Sequence, residues 1–114
     1  MGFFKWLRGK GAKGAEQAVL VHIDGVGLPD HVYEECDLAT LEDRLAEALS
    51  GQRLGDVDGN EMRETTSVVF MYGPDAERMF ASVEPVLRAY PLCQGARVEI
   101  RRGPPGSACR EVRI

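Results

Sequence analysis

The chain has 114 residues, 44% hydrophobic and 28% charged, with 14 basic and 18 acidic side chains and a net charge of −4. That length holds one domain with one core, and no run approaches the ~20 apolar residues of a membrane span. The charge is unevenly spread. Residues 1–14 carry Lys5, Arg8, Lys10 and Lys13 with no acid, leaving 10 basic and 18 acidic side chains on the rest. An acidic body repels phosphate, which argues against nucleic acid as a partner.

Residues 1–16 read as a basic amphipathic tail and linker, and residues 17–114 as a single domain. In a short helix Phe3, Phe4 and Leu7 share one face, with Trp6 at its boundary and Lys5 and Arg8 away from it. This pattern suits weak contact with an anionic membrane surface or with a partner. Gly9 to Gly14 is a linker by composition. No signal peptide is visible, and Cys36, Cys93 and Cys109 are odd in number without C-x-x-C spacing. Both features point to reduced thiols in a cytoplasmic setting.

The first strand spans 18–24, where Val19, Val21 and Ile23 alternate with Leu20, His22 and Asp24. Residues 25–30 leave it as a Gly/Pro loop, and 31–36 read as irregular and acidic. A helix follows over 37–49, with Leu38, Leu41, Leu45, Ala48 and Leu49 at 3.6-residue spacing and Asp37 or Thr40 as its cap.

The next strand, 54–62, has Val57 and Met62 at opposite parity, so a bulge at Gly59-Asn60 is expected to return both to the core side. Arg63-Glu64 is the expected turn into a β-branched and aromatic strand over 65–72. Gly73-Pro74-Asp75 stops that strand and starts a helix over 76–89, which Pro85 is expected to bend. Residues 96–102 make the next strand, with Val98 and Ile100 inward and Arg97, Glu99 and Arg101 outward. After the Gly103-Pro104-Pro105-Gly106 turn, 109–114 alternates again.

The order is β-α-β-β-α-β. With right-handed crossovers it gives an α+β, ferredoxin-like domain: a four-stranded antiparallel sheet, two helices on one face, and room for a short fifth C-terminal strand.

Chemistry-bearing residues are few. Asp56, Asp58, Asn60 and Glu61 have the residue types of a calcium loop, but with Gly59 at its sixth position Leu54 and Thr65 fall where ligands are required. No metal or cofactor is therefore expected. His22 and Asp24 share a strand face with outward Arg97, Glu99 and Arg101, a polar platform for a small ligand or a second subunit. Together with Asp58, Asn60 and Glu61, these two are the candidate ligand-binding residues. No nucleophile stands at a recognisable spacing from His22, so the expectation is a non-catalytic interaction module that forms a homodimer, with a small-molecule sensor or small enzyme as the alternative.

Ile23-Asp24-Gly25-Val26-Gly27-Leu28 is similar to the first loop of the acylphosphatases, but Pro29-Asp30 stand where that family needs an Arg. A Gly-containing loop after the first strand also resembles the amino-acid-binding ACT-type modules at the level of fold. The RNA-binding variant of the fold needs a basic, aromatic strand that residues 65–72 do not supply. More of the chain resembles a family of small uncharacterised bacterial proteins. The resemblance is carried by Leu41-Glu42-Asp43, Gly55-Asp56-Val57-Asp58-Gly59-Asn60-Glu61, Tyr72-Gly73-Pro74-Asp75-Ala76 and Val83-Glu84-Pro85-Val86-Leu87. It implies a bacterial cytosolic context and no catalytic activity.

Overall fold

A computed structural model describes residues 16–114. The tail to which Phe3, Phe4, Lys5, Trp6, Leu7 and Arg8 belong lies outside the described residues. Among those described, the elements run β1 (Gln17–Asp24), α1 (Asp30–Glu35), α2 (Leu38–Ser50), β2 (Asp56–Met62), β3 (Thr66–Gly73), α3 (Ala76–Ala89), a 3₁₀ turn (Pro91–Cys93), β4 (Arg97–Arg101) and β5 (Cys109–Arg113). The fold is α+β, with one five-stranded sheet in the order β2-β3-β1-β4-β5. Every neighbouring pair in it is antiparallel. The expected four-stranded sheet is thus extended by β5. A tight turn allows this: Ser107 N donates to Pro104 O, Pro105 fits the position after Pro104, and Gly106 takes φ 96°, as a type II turn requires.

Strand alternation divides the sheet cleanly. Val19, Val21, Ile23, Val69, Met71, Val98 and Ile100 point to one side and are at most 1% exposed. Leu41, Leu45 and Leu49 of α2 and Met79, Phe80, Val83 and Leu87 of α3 complete that core. Asp37 caps α2 by accepting from Thr40 N at 2.8 Å, and Asp75 caps α3 by accepting from Arg78 N at 3.1 Å. Tyr90 closes the layer, its hydroxyl donating to Asp37 O at 2.8 Å.

Three local expectations are corrected. Residues 31–36 are largely helical, because Val32 buries itself in the core and Asp30 lies in the first turn of α1, where an acid favours a helix start. The bulge falls at Asp58, between Val57 and Gly59, one residue earlier than expected. It does restore parity, placing Val57, Asn60 and Met62 on the helix side. Even so, Met62 is 74% exposed, because it lies on an edge strand beside the 63–65 turn, where no described element covers it.

A charged cluster fastens β5 to α3. Glu77 accepts from Arg110 Nε at 2.8 Å and Nη2 at 2.7 Å, and from Arg102 Nη2 at 3.1 Å. The Arg110 guanidinium also lies 5.9 Å from the centre of the Phe80 ring. The paired hydrogen bonds from Arg110 hold the Glu77 carboxyl down at about 2, from an ordinary 4.5. A depressed carboxyl stabilises the fold above its unfolded value, and that contribution is lost as pH falls through the folded one. Glu77 is 33% exposed and its arginines more so, so solvent screening reduces the contribution to about 1 kcal/mol. Glu77→Gln should therefore lower stability by about that much at pH 7. The gap to the parent should close between pH 4.5 and about 2, read by urea unfolding across that range.

Candidate functional site

The second sheet face has no described helix over it. Strand register puts Ala18, Leu20, His22 and Asp24 of β1 on it, between Thr66, Val68, Phe70 and Tyr72 of β3 and Arg97, Glu99 and Arg101 of β4. Cys109, Glu111 and Arg113 of β5 extend it on one side, and Asp56 and Glu61 of β2 on the other. The middle is apolar and the flanks are charged.

The register sets Glu99 directly opposite Glu111, an unfavourable like-charge pair. Two diagonal contacts relieve it. His22 Nε2 lies 2.6 Å from Glu99 Oε1, and Arg97 Nη1 donates to Glu111 Oε2 at 2.7 Å. His22 is thus held by Glu99, a partner 77 residues away in sequence, rather than by Asp24.

Asp24 has a different role. Its Oδ1 accepts from Val26 N at 2.9 Å and Gly27 N at 2.8 Å, and these backbone donors pull its carboxyl below the usual range. The Tyr33 hydroxyl pins the same loop, donating to Asp24 O at 2.8 Å and accepting from Leu28 N at 3.0 Å. A Cβ at Gly27 would overlap the Asp24 carboxylate, so a larger residue there would displace that side chain from its turn. Tyr33→Phe should cost about 1–2 kcal/mol, because it leaves the Leu28 N–H and Asp24 C=O without their shared partner. Hydrogen exchange should show the loss as faster exchange at Leu28.

The remaining candidates do not converge. Glu61 sits one strand beyond Val68 from His22, on the same face, and accepts from Arg63 Nη2 at 2.7 Å. Asn60 points to the helix side, where its amide donates to Glu42 Oε2 of α2. Asp58 occupies the bulge. Among the described residues no group of three or more His, Cys, Asp or Glu side chains is placed to hold a metal ion. Burial pushes the Cys93 thiol up to about 12, so it is a protonated core residue rather than a nucleophile. A recess lined by Leu87, Arg88, Tyr90, Pro91, Gln94 and Ile114 opens elsewhere, away from His22.

Sequence reasoning missed the His22–Glu99 contact, the Tyr33 latch and the Glu77 cluster. For the first two the signal was present only as strand parity and as one tyrosine near a Gly/Pro loop. No described helix is long and apolar enough to cross a membrane. Compared with protein-family models, curated proteins and solved structures, the chain matches none.

Proposed function

We propose that this chain is a non-catalytic interaction module of ferredoxin-like architecture that self-associates as a dimer through its helix-free sheet face or its edge strands. The observation that carries this reading is the helix-free face, where Leu20, Phe70 and Tyr72 form an apolar centre between charged flanks. These three side chains are half-buried among their neighbours, and a second protein surface laid on the sheet would cover the rest of them. The strand order β2-β3-β1-β4, with β5 added outside β4, supports the ferredoxin-like assignment. The engaged state of the polar groups supports the non-catalytic one. His22 is tied to Glu99, Asp24 to its own loop and Asn60 to α2, so the candidate residues face three different partners and do not converge on a shared point. The three unbridged cysteines favour a reducing, cytoplasmic compartment, in keeping with the bacterial family that the chain resembles.

Thermal unfolding of the full chain at protein concentrations spanning two orders of magnitude tests this reading. Association linked to folding raises the midpoint with concentration by mass action. The same assay with amino acids, nucleotides, phosphorylated metabolites and divalent cations should show no comparable shift. A midpoint independent of protein concentration, with a clear rise for one ligand class, would replace the module by a sensor or enzyme.

A further inference from the structure

We infer that the outer edge of β5 is the surface on which a second copy of this chain docks, in a two-fold antiparallel register centred on Val112. This inference rests on the self-association proposed above and names the strand that carries it.

Two hydrogen bonds bracket the β4–β5 ladder: Arg102 N donates to Ala108 O at 3.1 Å, and Ile114 N donates to Ala96 O at 2.9 Å. Antiparallel alternation then turns the backbone groups of Arg110 and Val112 toward β4. Those of Cys109, Glu111 and Arg113 point outward, beyond which no described strand lies. The opposite edge is protected. β2 is bulged at Asp58, carries Asp56, Asp58 and Glu61, and includes Gly59 at φ 136°, all of which oppose strand pairing. β5 has no bulge, no proline and no lysine.

Charge selects both the partner and the register. Centring a two-fold pairing on Arg110 sets that arginine against its own copy, and centring it on Glu111 does the same for the glutamate. Centring it on Val112 sets valine against valine and Glu111 against the second copy's arginine, once on each side of the axis. The outward backbone groups of Glu111 and Arg113 then meet as hydrogen-bonded pairs. The side chains have capacity for this. Arg97 occupies only Oε2 of Glu111, and Arg113 commits only Nη1, at 3.3 Å from Gly95 O. The strand's own sequence is thus complementary to itself in one register.

Cross-linking of the full chain tests the register. In a Cys109→Ser background, Val112→Cys brings two cysteines together at the axis, where non-hydrogen-bonded Cβ atoms approach within disulfide range. Mild oxidation should convert most of this variant to a covalent dimer, at least tenfold more than Glu111→Cys in the same background. In parallel, Arg113→Pro removes an outward N–H that no β4 partner uses. It should weaken association at least tenfold in sedimentation while leaving monomer unfolding near the parent's. A parent chain that stays monomeric throughout would defeat the self-association reading, and this inference with it. A parent that associates, with no Val112→Cys cross-link, would overturn the β5 edge alone. Preferential cross-linking of Glu111→Cys would overturn the register.

Discussion

Gly73→Ala should destabilise the fold by about 3 kcal/mol, the upper end of overpacking costs. For a domain this size the thermal midpoint should then fall by roughly 10–20 °C. A Cβ on Gly73 would overlap the Leu54 carbonyl oxygen and press on the Gly55 Cα and the Met79 Sδ at 3.0 Å each. The methionine tail can move aside. The Leu54 carbonyl cannot, because Leu54 is buried and its own N–H donates to Leu49 O at 3.0 Å, fixing the exit from α2. The end of β3 and the entry to β2 therefore cross without room for a side chain. Gly51→Ala is the matched control: nothing lies within 4 Å of its Cβ, and its backbone is already right-handed helical at φ −59°. That substitution should be neutral or stabilising by up to about 1 kcal/mol. Calorimetry of the two variants beside the parent decides the matter, and a Gly73→Ala midpoint within 4 °C of the parent would contradict the close crossing.

Leu45→Ala should cost a similar amount, about 3 kcal/mol within the 2–5 kcal/mol span for buried leucines. Leu45 is fully buried at the middle of α2, with Leu41 and Leu49 one turn to either side. Truncation removes its contacts and leaves a void that a sheet held by four strand pairings cannot collapse to fill. Urea unfolding should show a lower midpoint with an unchanged slope, the mark of lost stability without a change in the surface exposed. A cost below about 1 kcal/mol would mean that α2 is loosely packed on the sheet.

Local chemistry explains which parts of this fold are legible in the sequence. Period-two alternation in 18–24 and 96–102 marks the core-facing residues of β1 and β4, and all of those named are buried. The helix over 76–89 begins and ends where Asp75 and the Tyr90-Pro91 pair direct it to. The spacing of α2 leads to the same three buried leucines. The bulge is demanded by the parity conflict of Val57 and Met62, but its site among Asp58, Gly59 and Asn60 depends on cross-strand register, which the sequence leaves open. α1 is hidden because one buried valine makes no period. Its tertiary support comes from Tyr33, whose hydroxyl bonds back to a loop five to nine residues away.

The candidate site was less legible than the fold. Parity places His22 and Asp24 on one face correctly, and Glu99 there too, yet it cannot say which pairs. Asp24 is followed by backbone N–H groups that a short carboxylate reaches more readily than a neighbouring imidazole. His22 is therefore left to the nearest cross-strand acid. The pairing of Glu99 with His22 is visible only once β1 and β4 are in register, and that of Glu111 with Arg97 only once β5 is added beside β4.

Self-association is the central claim, and sedimentation equilibrium of the full chain tests it most directly. The protomer mass is 12.5 kDa. The account predicts a weight-average mass that rises with concentration toward twice that value and falls back on dilution. A mass that stays at the protomer value from micromolar to millimolar concentration would contradict it.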